Sequence, residues 1–341
     1  MDKDSPGNIT NFFAELEDPR LERHRAHKLV DIISITILAS ICGAEHWTTI
    51  EEFGEAKILW LKTFLDLPNG IPSHDTFGRV FALLNPKNFG ECFLNWMKSL
   101  HEKTSGDVIA LDGKTIRGSF DKSMGKTAIH MVSAWSAKNG VVLGQRKVDD
   151  KSNEITAIPK LLELLDMTGA TITIDAMGCQ KTIAQKIIDG GGDYILSLKA
   201  NHTGFHGEVI LEFDGAEPAI LDKKSADKFQ TTDGGHGRVE VRQYWVMSDL
   251  QLFSGANEWP GLKAIGIVDR ARDLGSHQQH ERQYYLLSEM SSAQKFANSV
   301  RSHWSVENDL HWRLDVTFNE DQCRVRIGNA AEIFLPLEKL P

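Results

Sequence analysis

At residue 107 the hydrophobic period of this 341-residue chain changes from helical to strand-like, and the order of the runs that follow fixes the fold class. Asp107-Val-Ile-Ala-Leu-Asp112 is a short buried strand ending on a carboxylate. Residues 130–136 and 141–148 are two more strand-like runs, and the Asn139-Gly140 pair between them is a strong hairpin signal because both residue types tolerate a positive φ. A helix reaching Leu165 then starts at Ser152, with Asn153 and Glu154 in its first turn and Pro159 interrupting it early. Residues 171–175 make a fourth strand, again closing on an aspartate; residues 179–189 make a helix and 194–198 a fifth strand. A three-strand meander followed by helix, strand, helix, strand is an α/β mixed sheet, antiparallel first and parallel after.

Upstream, residues 1–105 read as a small all-helical domain with a potential DNA contact. Phe12, Phe13 and Leu16 are spaced for a helix face, and residues 29–44 and 58–65 are apolar runs. Pro68-Asn69-Gly70 and Pro72-Ser73 break the chain, Ser73 or Asp75 caps a helix over 76–84, and an amphipathic stretch covers 89–100. The cluster Arg20, Arg23, His24, Arg25, His27 and Lys28 is either a solvated helix face or a contact to DNA phosphate. Residues 106–199 form the first part of the α/β core, and 200–290 read as a β-rich insertion with strands at 239–247, 262–268 and 284–287. Residues 291–331 return to the core as one long helix through Phe296, Val300, Trp304 and Leu310, and 332–341 form an atypical ending.

Charge narrows the function classes. Thirty-eight Lys and Arg against 47 Asp and Glu give a net charge of −9, which excludes a uniformly basic nucleic-acid coat. A local stripe of cations still binds phosphate, and a carboxylate-rich metal site itself pushes the total negative. Cys42, Cys92, Cys179 and Cys323 lie far apart with no CxxC pair, against a zinc ribbon or a dense disulfide framework and for a reducing cytoplasm. The start, MDKDSPGNIT, lacks the basic and apolar regions of a secretory signal. The most apolar stretch, 29–44, falls short of the roughly 20 residues of a membrane span and carries Asp31, so a cytoplasmic protein with no membrane partner is expected.

Asp112 and Asp175 end strands of an open α/β sheet, where ligand sites lie just beyond the strands' carboxyl ends. A strand-end aspartate is also a common turn former. Converging carboxylates suit hard, oxygen-seeking ions such as Mg2+ or Mn2+, and two such ions about 3.5–4 Å apart support in-line phosphodiester displacement. Four stretches carry a resemblance: Ala110-Leu-Asp112-Gly-Lys-Thr-Ile-Arg-Gly-Ser119, Lys151-Ser-Asn-Glu-Ile-Thr-Ala-Ile-Pro159, Thr173-Ile-Asp175-Ala-Met-Gly-Cys-Gln180, and Arg301-Ser-His-Trp-Ser-Val-Glu307-Asn-Asp-Leu-His-Trp312. In this order and wording the chain resembles the H-repeat-associated transposases, a branch of the bacterial insertion-sequence transposases, from near residue 10 to near residue 331. The resemblance implies an RNase H-like mixed sheet with flanking helices and a DDE triad of Asp112, Asp175 and Glu307 holding two Mg2+ or Mn2+ ions. It also implies double-stranded DNA as partner, at transposon ends and target, and a homodimer on paired ends. The activity implied is metal-dependent phosphodiester cleavage and strand transfer during transposition.

Around these motifs, Lys114, Arg117, Arg301, His303, Trp304 and Arg313 are candidate DNA contacts, with surface ion pairing the plainer reading of Arg301 and Arg313. Trp304 and Trp312, at helical spacing, read first as core and otherwise as platforms for an unpaired base. Glu320 and Asp321 are rivals for the third carboxylate. Gly113-Lys-Thr is not a P-loop, because Val108 stands where the upstream glycine belongs. His202 and His206 have metal-pair spacing without an HExxH motif, and His236 with Arg238 reads as a flexible loop. Pro336 breaks the final apolar run, so the ending reads as a truncation or frameshift, and the alternative to an active transposase is an inactive remnant that at most binds DNA.

Overall fold

A computed structural model describes residues 8–100, 106–116, 128–149, 153–225, 227–235, 238–273, 278–312, 315, 329, 330 and 333. Among the described residues up to 100 are six α-helices: α1 (Ile9–Phe13), α2 (Leu29–Ile41), α3 (Trp47–Ala56), α4 (Ile58–Leu61), α5 (His74–Leu83) and α6 (Pro86–Leu100). The α2 sequence, LVDIISITILASI, is apolar nearly all round and is correspondingly the central helix, with Ile32, Ile33, Ile35 and Ile37 fully buried. Its one acid, Asp31, is buried too, and accepts a hydrogen bond from the amide of Leu67 at 3.3 Å, where the chain takes a positive φ of 40°. The basic cluster before α2 lies around a short 3-10 turn, Glu22–His24, rather than along a helix face, and several of its cations are paired within the chain. Arg20 pairs with Asp18 at 2.7 Å and donates to the His27 carbonyl, Arg25 donates to the Arg20 and Asp18 carbonyls, and Lys28 pairs with Asp66.

The core strands are β1 (Val108–Ile116), β2 (Ile129–Ser136), β3 (Val141–Lys147), β4 (Thr171–Ile174) and β5 (Asp193–Leu198), with α7 (Glu154–Leu162) and α8 (Lys181–Asp189) in the crossovers. Gly140 takes a φ of +65° in the β2–β3 turn, as the Asn-Gly signal requires. The α7 N-cap position falls on Asn153 rather than on Ser152, which lies outside the described residues. After β5 come α9 (Thr203–Phe213) and α10 (Pro218–Lys224), then β6 (Asp227–Gly235), β7 (Arg238–Met247), β8 (Ala264–Asp273) and β9 (Gln278–Leu287). The β-rich segment thus has four strands where three are legible, and it does not stand apart from the core: β9 pairs antiparallel with β5, giving one sheet of order β3-β2-β1-β4-β5-β9-β8-β7-β6.

The last helix, α11 (Ala293–His303), is capped by Ser292, whose side chain accepts from the Lys295 amide at 3.1 Å. Ala293, Phe296, Ala297 and Val300 recur at i, i+3, i+4 and i+7 and are buried against the sheet. Phe296 stands edge-on to Tyr244 and Tyr285, with ring centroids 6.0 and 5.5 Å away. Gly266 makes the space, since a Cβ there would lie 2.4 Å from Phe296 Cζ. The expected continuous helix stops at His303. A turn at Trp304 leads into a π-helical segment, Val306–His311, in which Val306 and Leu310 pack on Ala110, Trp135 and Val142. Further on, Asn329 donates to the carbonyls of Ala82 and Leu84, and Ala330 and Ile333 are buried against the N-terminal helices; residues 334–341 lie outside the described residues. Among the described residues no helix is long and apolar enough to cross a membrane.

Candidate active site

The chain runs outward from β1 to β2 and β3, then crosses back to β4 and β5 on β1's other side, so the sheet's switch point lies between β1 and β4. Their parallel ladder ends at the register pair Leu111 with Ile174, and the next residue on each strand is Asp112 and Asp175. Asp112 does not end its strand, as the sequence suggests: β1 continues to Ile116 as the antiparallel partner of β2, and only its pairing with β4 stops there. Asp175 is both turn former and site residue. Its Oδ1 accepts the amides of Met177 and Gly178 at 3.0 and 3.3 Å, in a turn so close that a Cβ on Gly178 would lie 2.3 Å from Ile174 Cγ2.

Asp112, Asp175 and Glu307 line one cavity of about 200 Å³, together with Lys199, His303 and Trp304. Glu307 reaches it from the π-helical segment, whose side chains point differently from those of a continued α-helix. Burial, together with the charges of Asp175, Glu307 and Glu154, pushes the Asp112 carboxyl up to about 7 against one opposing hydrogen bond from the Gly113 amide. The imidazole of His311 stands 3.6 Å from Asp112 Oδ2. His303 Nδ1 is 3.0 Å from Thr173 Oγ1, and burial holds this imidazole below its ordinary value against the pull of Asp175. Among the described residues no group of three or more His, Cys, Asp or Glu is closely enough spaced to hold a metal as it stands.

The remaining candidates scatter. Lys114, on the same face of β1 as Asp112, pairs with Asp315 at 2.6 Å. Arg301 pairs with Asp233 at 3.1 Å and lines a neighbouring cavity of about 290 Å³, with Arg242 and Arg270. That cavity shares Gln283, Val300 and Trp304 with the first, so the two adjoin. Trp304 and Trp312 are not core: they are 42% and 57% exposed. Arg117, Arg313, Glu320, Asp321 and His236 lie outside the described residues. His202 donates no metal pair with His206; its ring bonds the Cys179 carbonyl. Sequence reasoning missed Lys199, which directly follows β5 as Asp175 follows β4, and it missed His130, which bonds Glu154 at 2.7 Å behind Gly113.

Strands β3-β2-β1-β4-β5, three antiparallel and then parallel, with helices on the sheet, form an RNase H-like fold. Residues 10–97 match the DDE_Tnp_1-associated family model, and residues 103–337 match the transposase DDE domain. YhhI of Escherichia coli (strain K12), named as a candidate H repeat-associated transposase, is 47% identical over 315 residues, covering 90% of this chain and 82% of the relative. YncI of Escherichia coli O157:H7, likewise named as a candidate transposase, is 44% identical over 98% of this chain and 86% of its own. An uncharacterized protein in the dhlA 3′ region of Xanthobacter autotrophicus is 42% identical over 82% of this chain and 94% of its own. A piggyBac transposase synaptic complex with hairpin DNA aligns over 97% of this chain and 70% of that one, at a TM-score of 0.41 and 11% identity, too distant to argue from. The chain belongs to the DDE transposase family, in the company of H-repeat-associated relatives.

Proposed function

We propose that this protein cuts DNA at the ends of an insertion sequence and transfers the freed 3′-hydroxyl to target DNA, with Asp112, Asp175 and Glu307 as its catalytic carboxylates. The observation that carries this reading is that Asp112 and Asp175 directly follow a parallel register pair and share one cavity with Glu307. The donor set is all carboxylate oxygen, and the charge of Asp112 is opposed by three neighbouring carboxylates, which is the chemistry a hard divalent cation relieves. Asp112, Asp175 and Glu307 would hold Mg2+ or Mn2+, two ions per site. Bound there, the ions activate the attacking oxygen and stabilise the leaving one.

In each step a hydroxyl oxygen, of water in cleavage and of the 3′ end in transfer, forms a new bond to phosphorus while the bond to the departing 3′ oxygen breaks. Lys199, which lines the cavity, offers its ammonium to a non-bridging phosphate oxygen there. His303, tied to Thr173 and held by burial below its ordinary value, forms the wall beside Asp175. The adjoining cavity lined by Arg242, Arg270 and Arg301 suits a DNA backbone, whose phosphates would replace the carboxylates that now pair these arginines. Double-stranded DNA is the partner, a homodimer joins two ends, and the cytoplasm is the setting.

The test is an excision assay in cells carrying a marker flanked by the element's own terminal repeats. Wild-type protein excises the marker, and Asp112→Asn, Asp175→Asn and Glu307→Gln proteins, expressed to the same level, do not. Wild-type protein that binds the repeats but never excises sinks the reading in favour of an inactive remnant.

A further inference from the structure

Side chains along β1 alternate between the two faces of the sheet. Asp112 and Lys114 point toward His311 and Asp315, on the side of α11 and the π-helical segment. Gly113 and Thr115 belong to the opposite face, where Thr115 pairs in register with His130 and α7 packs. On that face Glu154, the first residue of α7, leans over Gly113: a Cβ there would lie 2.1 Å from Glu154 Oε1 and 2.9 Å from His130 Nε2. A side chain at this position would push the carboxylate from where it lies.

The two faces meet at this point. Beyond Leu111 the β4 side of β1 carries no strand pairing among the described residues, because β4 ends at Ile174. Glu154 is also held in place. His130 Nε2 lies 2.7 Å from its Oε1, and His130 Nδ1 lies 2.8 Å from Thr115 Oγ1. With an ionised Glu154, Nε2 carries the proton and donates to the carboxylate, while the Thr115 hydroxyl donates to Nδ1. The second oxygen, Oε2, has no hydrogen-bond partner among the described residues. An ion pair serving structure alone gives no reason to press the acid against the one residue beside Asp112 that lacks a side chain.

We propose that Glu154 is a fourth carboxylate of the site, supplying Oε2 from the far face of the sheet to the divalent ion that Asp112 holds, with Gly113 admitting it and His130 orienting it. This rests on the metal-dependent reading above. The motif Lys151-Ser-Asn-Glu-Ile-Thr then contributes to the same centre as Ala110-Leu-Asp112-Gly, although about forty residues of chain separate them.

The experiment is a Mn2+ titration of metal-free, full-length protein without DNA, read by calorimetry and by the shift in thermal unfolding temperature, so catalysis is not the readout. Glu154→Gln keeps an acceptor for His130 and removes the charge. It is expected to unfold within a few degrees of wild type without metal, and to need at least tenfold more Mn2+ for half-saturation. Gly113→Ala, which displaces Glu154 with every carboxylate retained, is expected to give the same change, and the double variant no more than either. Asp112→Asn serves as the reference for a lost site. Asp112→Asn losing Mn2+ binding while Glu154→Gln titrates like wild type overturns the assignment of Glu154 alone. A wild-type protein indifferent to Mn2+, or an Asp112→Asn protein that binds it like wild type, overturns the metal-dependent reading and this assignment together.

Discussion

Replacing Asp112 by asparagine should stabilise the metal-free protein, and by an amount that depends on pH in a defined way. In the unfolded chain this carboxyl titrates near 3.8; in the fold, burial and the carboxylates around it hold it at about 7. Below the lower value both states are protonated and the site costs nothing. Between the two values the unfolded chain has released a proton that the folded protein retains, so stability falls as pH rises, and above about 7 the loss is complete. The interval is about three pH units, which at about 1.4 kcal/mol per unit makes the ionised carboxylate worth as much as ~4 kcal/mol of instability. The side chain is only 20% exposed, so water screens little of this. Asparagine keeps the shape and never ionises. At pH 8 the variant should therefore unfold on the order of 8 °C above wild type, taking about 2 °C per kcal/mol for a chain of this size, and at pH 4 the two should nearly coincide. Differential scanning calorimetry in a chelating buffer reads this directly. Equal unfolding temperatures at pH 8, or an equal gap at pH 4 and pH 8, would refute the argument that Asp112 is a strained, uncompensated charge.

Two further outcomes follow from the same geometry. Phe296→Ala should cost about 3–5 kcal/mol in urea unfolding, because the ring fills the space left by Gly266 between Tyr244 and Tyr285 and fixes α11 on the sheet; a cost below about 1 kcal/mol would mean that α11 is held elsewhere. Arg242→Ala and Arg301→Ala should each weaken DNA binding across sequences and lower the slope of log affinity against log salt by about one, measured by fluorescence anisotropy, whereas unchanged slopes would remove this cavity from the DNA path.

The parts of this fold that could be read from the sequence are those where burial writes a pattern. The runs at 130–136 and 141–148 with Asn139-Gly140 between them, and the strand that ends at Ile174, appear in the structure within a residue or two, whereas β1 runs four residues past the expected end at Asp112. Strand β6, DKFQTTDGG, was invisible because its hydrogen bonds come from β7 while most of its side chains face solvent. The outer halves of β8 and β9 escaped for the same reason: 269–273 and 278–283 pair with each other as a polar ladder. Helix propensity could not foretell the break at Trp304, where Trp135 donates to Ser305 at 3.0 Å and Val306 and Leu310 turn to a different patch of core. In the site, Asp112 and Asp175 were legible because each follows an apolar run. Glu154 was legible only as a helix start, since nothing local to it records that Gly113 leaves it room.

The account stands or falls on whether Asp112, Asp175 and Glu307 act as one centre. The measurement is single-turnover cutting of labelled terminal-repeat DNA by purified protein in Mn2+, for Asp112→Asn and Glu307→Gln separately and together, with binding and unfolding temperature checked in parallel. Residues acting as a unit give grossly non-additive losses, so each single variant should abolish nearly all cutting while binding persists, and the pair should lose no more than either alone. Cutting that survives either substitution at close to the wild-type rate, or losses that multiply as for independent groups, would contradict a shared carboxylate centre.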